Sequence, residues 1–306
     1  MSSTIQRIST SSKSALPKSA KTVWWLLKII LPISFLVSLL QYLGIITIIA
    51  SYLAPVFSVV GLPGESAIVF ISSIFLTLYA PIAIIATLSL DLREITILAL
   101  MCLISHNLFV ETAIQKKTGS SAIIMFLMRL FSSFIAAYVL NKLLPTNIGV
   151  NTISEQAIVY ANFGQMLFAW IQGAAWLILK ITLIVTGLLI LQNILKEFKI
   201  IDSISKPFSP IMKFMGLSPD SSFLWFIAQI VGLTYGSVVM IEEVERGEIA
   251  AADADLLNYH IAINHSLLED TLLFVAIGVP AVWITFPRIL LAIIAVWTVR
   301  IFRKSA

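Results

Sequence analysis

Apolar runs about as long as the ~20 residues a helix needs to cross a bilayer core follow one another along the chain, separated by short polar breaks. The pattern predicts eight crossings, at residues 23–44, 65–90, 94–114, 121–143, 164–195, 221–241, 255–277 and 280–302. Loops such as DLRE, QKKTGSS and EEVERGEIAAADAD separate them. Two stretches fit a crossing less well: IITIIASYLAPVFSVVGLPG and LKEFKIIDSISKPFSPIMKFMGLSPD. The second places Lys196, Glu197, Lys199, Asp202, Lys206 and Lys213 among apolar residues, which suits a helix lying in the interface plane. The expected fold class is all-α, a polytopic transmembrane helix bundle.

One crossing carries an anomaly. Within ITILALMCLISHNLFVETAI, Ser105, His106, Asn107 and Glu111 interrupt an otherwise apolar run. On an ideal helix Asn107 and Glu111 share a face, Ser105 and Thr112 share another, and His106 points between them. A helix so polar around its circumference cannot face lipid, because each unpaired polar group costs several kcal/mol there. Either protein covers it on all sides, or it breaks at a water-lined cavity.

The same device occurs again. SHNLFVET at 105–112 aligns with NHSLLEDT at 264–271, so that His106 meets His265, Glu111 meets Asp270 and Thr112 meets Thr271. The register continues to Gly119 on Gly278 and Arg129 on Arg288. Upstream, Pro55 with Gly61-Leu62 matches Pro210 with Gly216-Leu217, and Ser66, Phe70 and Tyr79 meet Ser222, Phe226 and Tyr235. Matched apolar residues arise easily by chance in membrane sequences. The polar matches carry more, because two of the three histidines fall at one repeat position. The expected organisation is a basic, disordered tail at 1–22, one four-span repeat at 23–144, a polar linker at 145–163 and a second repeat at 164–303. Four crossings each make the halves parallel, and the basic ends agree with cytoplasmic termini. Lys116, Lys117 and the lysines at 196–213 would then lie outside. An odd number of crossings would invert the halves instead.

Composition confirms the class and narrows the chemistry. The 306 residues are 59% hydrophobic and 12% charged, against about a quarter charged in soluble domains. Cys102 is the sole cysteine, which rules out an intrachain disulfide and a thiolate metal cage. The net charge of +4 bears on orientation, since no nucleic-acid signature accompanies it. The first apolar run lacks a clear cleavage site and reads as an uncleaved span. GxxxxGK[ST], GxGxxG, HExxH and GxSxG are all absent, so neither ATP-driven transport nor an enzyme is expected, and no cofactor is implied.

Ionisable residues at membrane depth usually mark a substrate or proton pathway. Two His-plus-acid sets from matching repeat positions describe the solute or coupling-ion site of a secondary transporter. The candidate site is therefore Ser105, His106, Asn107 and Glu111 with Asn264, His265, Ser266, Glu269 and Asp270, and Tyr79 and Tyr235 as mid-span cavity residues. The structural alternative is a set of satisfied hydrogen bonds locking helices together. His260 has no repeat counterpart and is expected as a surface histidine near the aqueous end of its span. Glu65 and Asp220 read equally as helix-start residues or as the rim of a broken-helix mouth. Arg129 and Arg288 either pair with the acids or snorkel from span ends, and Arg129 is expected to snorkel.

The turn at Pro55 to Pro63, the span ending near Tyr79 and the polar break at His106-Asn107 resemble bacterial membrane proteins of the nucleoside-recognition, or Gate domain, group. That group includes spore maturation proteins, the membrane part of ferrous-iron transporter B and relatives of concentrative nucleoside transporters. Gly61-Leu62-Pro63, Gly216-Leu217, Ser105-His106-Asn107 and Asn264-His265-Ser266 carry the resemblance, over about 45–135 and 200–295. It implies a Gate-type permease in a bacterial inner membrane, with a nucleoside-like or metal-ion solute passing between two related repeats. It also allows a non-transporting scaffold of the spore-maturation type. The expected partners are the lipid bilayer and that solute, without nucleic acid, and nothing in the chain fixes or excludes a homodimer.

Overall fold

The computed structural model describes residues 4–145, 148 and 160–305, and among them every regular element is a helix. In the first half these are α1 (Thr4–Tyr42), α2 (Ile45–Ser58), α3 (Ser66–Phe75), α4 (Tyr79–Ile85), α5 (Leu92–Ser105), α6 (Leu108–Lys117) and α7 (Ala122–Leu143). The second half contains α8 (Phe163–Glu197), α9 (Ile200–Ser205), α10 (Ser209–Phe214), α11 (Ser222–Ile230), α12 (Leu233–Glu245), α13 (Ala251–Ile263), α14 (Leu267–Val275) and α15 (Ala281–Ser305).

Among the described residues, five helical stretches are long and apolar enough to cross a membrane: Thr4–Tyr42, Leu92–Lys117, Ala122–Leu143, Phe163–Leu195 and Ala281–Arg303. Leu92–Lys117 is interrupted between α5 and α6, and the other expected crossings are interrupted too. The run at 65–90 divides into α3 and α4, that at 221–241 into α11 and α12, and that at 255–277 into α13 and α14. α12 folds back on α11, so that a Cβ at Gly236 would lie 3.4 Å from the Cα of Ala228. In a straight helix residues eight apart are separated by about 12 Å. α3 and α4 pack on each other likewise. With 14 residues, or about 21 Å, α2 is too short to span a ~30 Å core.

The residues expected to form a disordered tail are helical from Thr4, as the start of α1. α1 lies antiparallel against α8: Arg7 Nε sits 2.9 Å from Glu197 Oε1 at one end, and Tyr42 meets Phe163 edge-on at the other. Between these ends Trp170 Nε1 donates to Ser34 Oγ at 3.1 Å. The expected linker at 145–163 falls largely outside the described residues.

α7 and α15 each turn one face outward and one inward. Ile123, Leu127, Phe131 and Ile135 form an exposed stripe on α7, and Val282, Phe286, Leu290 and Ile294 form one on α15. Four-residue spacing puts each set on a single face, as a lipid-facing helix requires. On the opposite faces Arg129 and Arg288 are fully buried, in contrast to the expected snorkelling of Arg129. The turns that precede these helices bend through Gly119 and Gly278, both at φ +101°, a conformation that side chains with a Cβ rarely adopt.

Candidate functional site

α5 and α13 end in the same way. Ser105 closes α5, His106 is extended, and Asn107 takes the left-handed conformation at φ 50° before α6 begins. Ile263 closes α13, Asn264 is extended, and Ser266 takes that conformation at φ 47° before α14 begins. Left-handed backbone is uncommon without glycine, and short polar side chains tolerate it best. Each break frees backbone groups that lipid could not satisfy, and neighbouring helices receive them. Asn107 N–H donates to Ser73 O at 2.7 Å, and Ser266 N–H donates to Ala228 O at 2.9 Å. Gln229 Nε2 donates to Asn264 O at 2.6 Å.

The two buried arginines serve the same breaks. Arg129 donates from Nε to Ile104 O and from Nη2 to His106 O, both at 2.8 Å. Arg288 donates from Nη1 to His265 O at 3.4 Å, from Nη2 to Thr271 Oγ1 at 2.9 Å and from Nε to Ile284 O at 3.0 Å. Carbonyls at a helix C-terminus carry partial negative charge, so a guanidinium there stabilises them. Position alone could not separate this clamping role from snorkelling, because the sequence does not show which face of α7 is covered.

The breaks bring most of the predicted site residues together. The imidazoles of His106 and His265 lie 5.1 Å apart between centroids. His106 Nε2 is 3.2 Å from Glu111 Oε1 and 3.6 Å from Asp270 Oδ2, and His265 Nε2 is 3.3 Å from Glu111 Oε2. Arg129 Nη2 approaches Glu111 Oε2 at 2.7 Å. Both rings are anchored through Nδ1, His106 on Cys102 O at 3.2 Å and His265 on Ile261 O at 2.7 Å. Tyr79 OH donates to Glu269 Oε1 at 3.1 Å, which joins the α3–α4 hairpin to the second break. Ser105 Oγ donates to Arg129 O at 3.1 Å.

His106, Glu111, Asn264, His265 and Asp270 are all buried. His265 Nε2, Asp270 Oδ2 and both side-chain polar atoms of Asn264 have no hydrogen-bond partner. Tyr235 is 49% exposed on α12. His260 corrects the expected surface position: it is fully buried and accepts from Trp225 Nε1 at 3.3 Å through Nδ1. Glu65 makes no side-chain capping bond at the start of α3. Sequence reasoning missed Gln229 and Trp225, for which polar and aromatic identity on an apolar hairpin was the available signal.

A sequence profile of the Gate family, described as nucleoside recognition, matches residues 23–141. The uncharacterized membrane protein YvoD of Bacillus subtilis (strain 168) is 31% identical over 268 residues, covering 86% of this chain and 85% of the relative. No solved structure matches the chain.

Proposed function

The chain belongs to the Gate, nucleoside-recognition, family of membrane proteins, and from that premise we propose that it is a permease for a small polar solute. The observation that carries this reading is the gathering of four buried ionisable side chains, His106, Glu111, His265 and Asp270, where two broken helices meet. Helix breaks at membrane depth are tolerated where they are covered by protein or line a cavity, and paired ones from matching repeats are a common way to build a solute site. A scaffold would use the same residues as a lock, but a lock has no need of a buried amide without hydrogen-bond partners such as the Asn264 side chain.

The two halves act as inverted repeats of three crossings each, in place of eight crossings in a parallel arrangement. α1, α5–α6 and α7 cross in the first half, and α8, α13–α14 and α15 in the second, while α3–α4 and α11–α12 dip in and return. The antiparallel packing of α1 on α8, which hold matching repeat positions, supports this. Charge supports it too: Arg7, Lys116, Lys117, Lys199, Lys213, Arg300 and Arg303 then lie on one side, the cytoplasmic face of a bacterial inner membrane. A membrane-impermeant thiol reagent distinguishes the topologies. Cysteines introduced as Lys117→Cys and Ile277→Cys should label from opposite sides, whereas parallel repeats would label both from one side.

Transport itself is tested in liposomes of purified protein, screened across nucleosides and divalent cations. Flux of one class, abolished by His106→Ala with His265→Ala, is the expected result. A folded protein that moves none of them removes the permease reading and leaves the scaffold, whereas flux that survives the double change keeps the permease and takes the path away from the two histidines.

A further inference from the structure

We propose that the solute is a divalent first-row transition-metal ion, held by His106 Nε2, His265 Nε2, Asp270 Oδ2 and Glu111 Oε1. The inference rests on the permease reading for its transport role but not for its binding chemistry. Both histidines present Nδ1 to a backbone carbonyl four residues earlier. A carbonyl can only accept, so Nδ1 donates and each neutral ring turns its Nε2 lone pair into the cluster. A second hydrogen bond of this kind is what orients histidines that ligate metals.

What those lone pairs meet is more of the same. Carboxylate oxygens lie 3.2, 3.6 and 3.3 Å from the two Nε2 atoms, acceptor against acceptor. A cation removes the conflict, either a proton on each Nε2, which turns the approaches into ion pairs, or one metal ion between them. Part of the spacing also suits a metal: ligands about 2.0–2.2 Å from a tetrahedral ion stand about 3.3–3.6 Å from one another, and His106 Nε2 stands 3.2 Å from Glu111 Oε1 and 3.6 Å from Asp270 Oδ2. The ligand atoms of His106, His265 and Asp270 all fall within 4.8 Å of one another. Glu111 can join through Oε1 because Arg129 holds its other oxygen.

Charge and ligand type narrow the ion. Glu111, Glu269 and Asp270 against Arg129 and Arg288 give a formal charge of −1 with neutral imidazoles, which favours a cation over an anion. Two imidazoles with carboxylates suit zinc, iron, cobalt or nickel, whereas magnesium and calcium prefer oxygen ligands throughout.

Cobalt titration of the purified full-length protein in detergent tests the site. One Co²⁺ per chain should bind with the visible absorption of tetrahedral cobalt, displaced by Zn²⁺ but not by Mg²⁺ or Ca²⁺. Asp270→Asn and His265→Gln should each weaken binding at least about tenfold. X-ray absorption of the cobalt-loaded wild type should count two imidazoles, a readout that survives even if a variant fails to fold. Folded protein that binds no Co²⁺, binding without imidazole ligands, or folded variants of wild-type affinity would overturn the proposal. The two readings fail separately: cobalt binding without flux of any cation keeps the site and removes the permease, while nucleoside flux without metal binding does the reverse.

Discussion

The break between α5 and α6 and the break between α13 and α14 share a backbone but differ in charge. At the first, one acid meets one arginine directly, with Glu111 Oε2 2.7 Å from Arg129 Nη2. At the second, Asp270 stands where Glu111 does but is one methylene shorter, and Arg288 turns to Thr271 and to carbonyls. The second break also carries Glu269, whose counterpart in the first is the exposed Val110. One break is therefore internally neutralised and the other retains surplus negative charge. The two breaks share their backbone geometry, and two differences, Asp270 for Glu111 and Glu269 for Val110, leave the second one-sided in charge.

The largest effect expected from this contrast concerns the arginines. Arg129→Ala removes one partner of a buried ion pair and leaves the Ile104 and His106 carbonyls bare, which costs about 3–5 kcal/mol. Arg288→Ala removes hydrogen bonds without stranding a directly paired carboxylate, and should cost about 1–3 kcal/mol. Unfolding of both variants in detergent, followed by intrinsic tryptophan fluorescence, checks the order. Equal losses would mean that Asp270 depends on Arg288 as Glu111 does on Arg129, and the contrast between the breaks would disappear.

Much of this pair was legible in the sequence. A histidine followed five residues later by an acid and then threonine, twice in an apolar chain, marked both breaks and the residues that meet there. The helix reversals after Phe75 and Ile230 were not legible, because averaged hydropathy reports how greasy a run is and not whether it turns back. His260 looked peripheral by its distance from the span centre, yet α11 covers it with Trp225, a tertiary contact that no periodicity contains. The N-terminal residues read as disordered from their serines, and their helix is instead supported by α8 along its flank. Local pattern located the polar interruption, and long-range packing decided what each polar group does.

A smaller effect should appear at the hydrogen bond that Tyr79 gives to Glu269 of the second break. Tyr79→Phe and Glu269→Gln, made singly and together, form a double-mutant cycle across the α3–α4 hairpin and α14. The coupling should be about 1–2 kcal/mol, as for a hydrogen bond to a charged acceptor away from bulk water. The matching cycle of Tyr235→Phe with Val110→Ala should give a coupling near zero, since valine offers no acceptor. A vanishing coupling at Tyr79 would make Glu269 a bystander and remove the hairpin from the asymmetry.

The smallest effect tests what the breaks have in common. Asn107 at φ 50° and Ser266 at φ 47° occupy backbone that glycine adopts without steric penalty. Asn107→Gly and Ser266→Gly should therefore change stability by less than about 1 kcal/mol, with relief of left-handed strain opposing the added freedom of the unfolded chain. Ser266 should benefit more, because asparagine tolerates this conformation better than serine does. Asn107→Val and Ser266→Val should each lose about 1–2 kcal/mol, as a β-branched side chain forces the backbone out of the left-handed well. Paired valine losses at both positions would show one backbone device used twice. A loss at one position only would mean that the two breaks differ in conformation as well as in charge, and that the acidic surplus of the second half belongs to a differently shaped site.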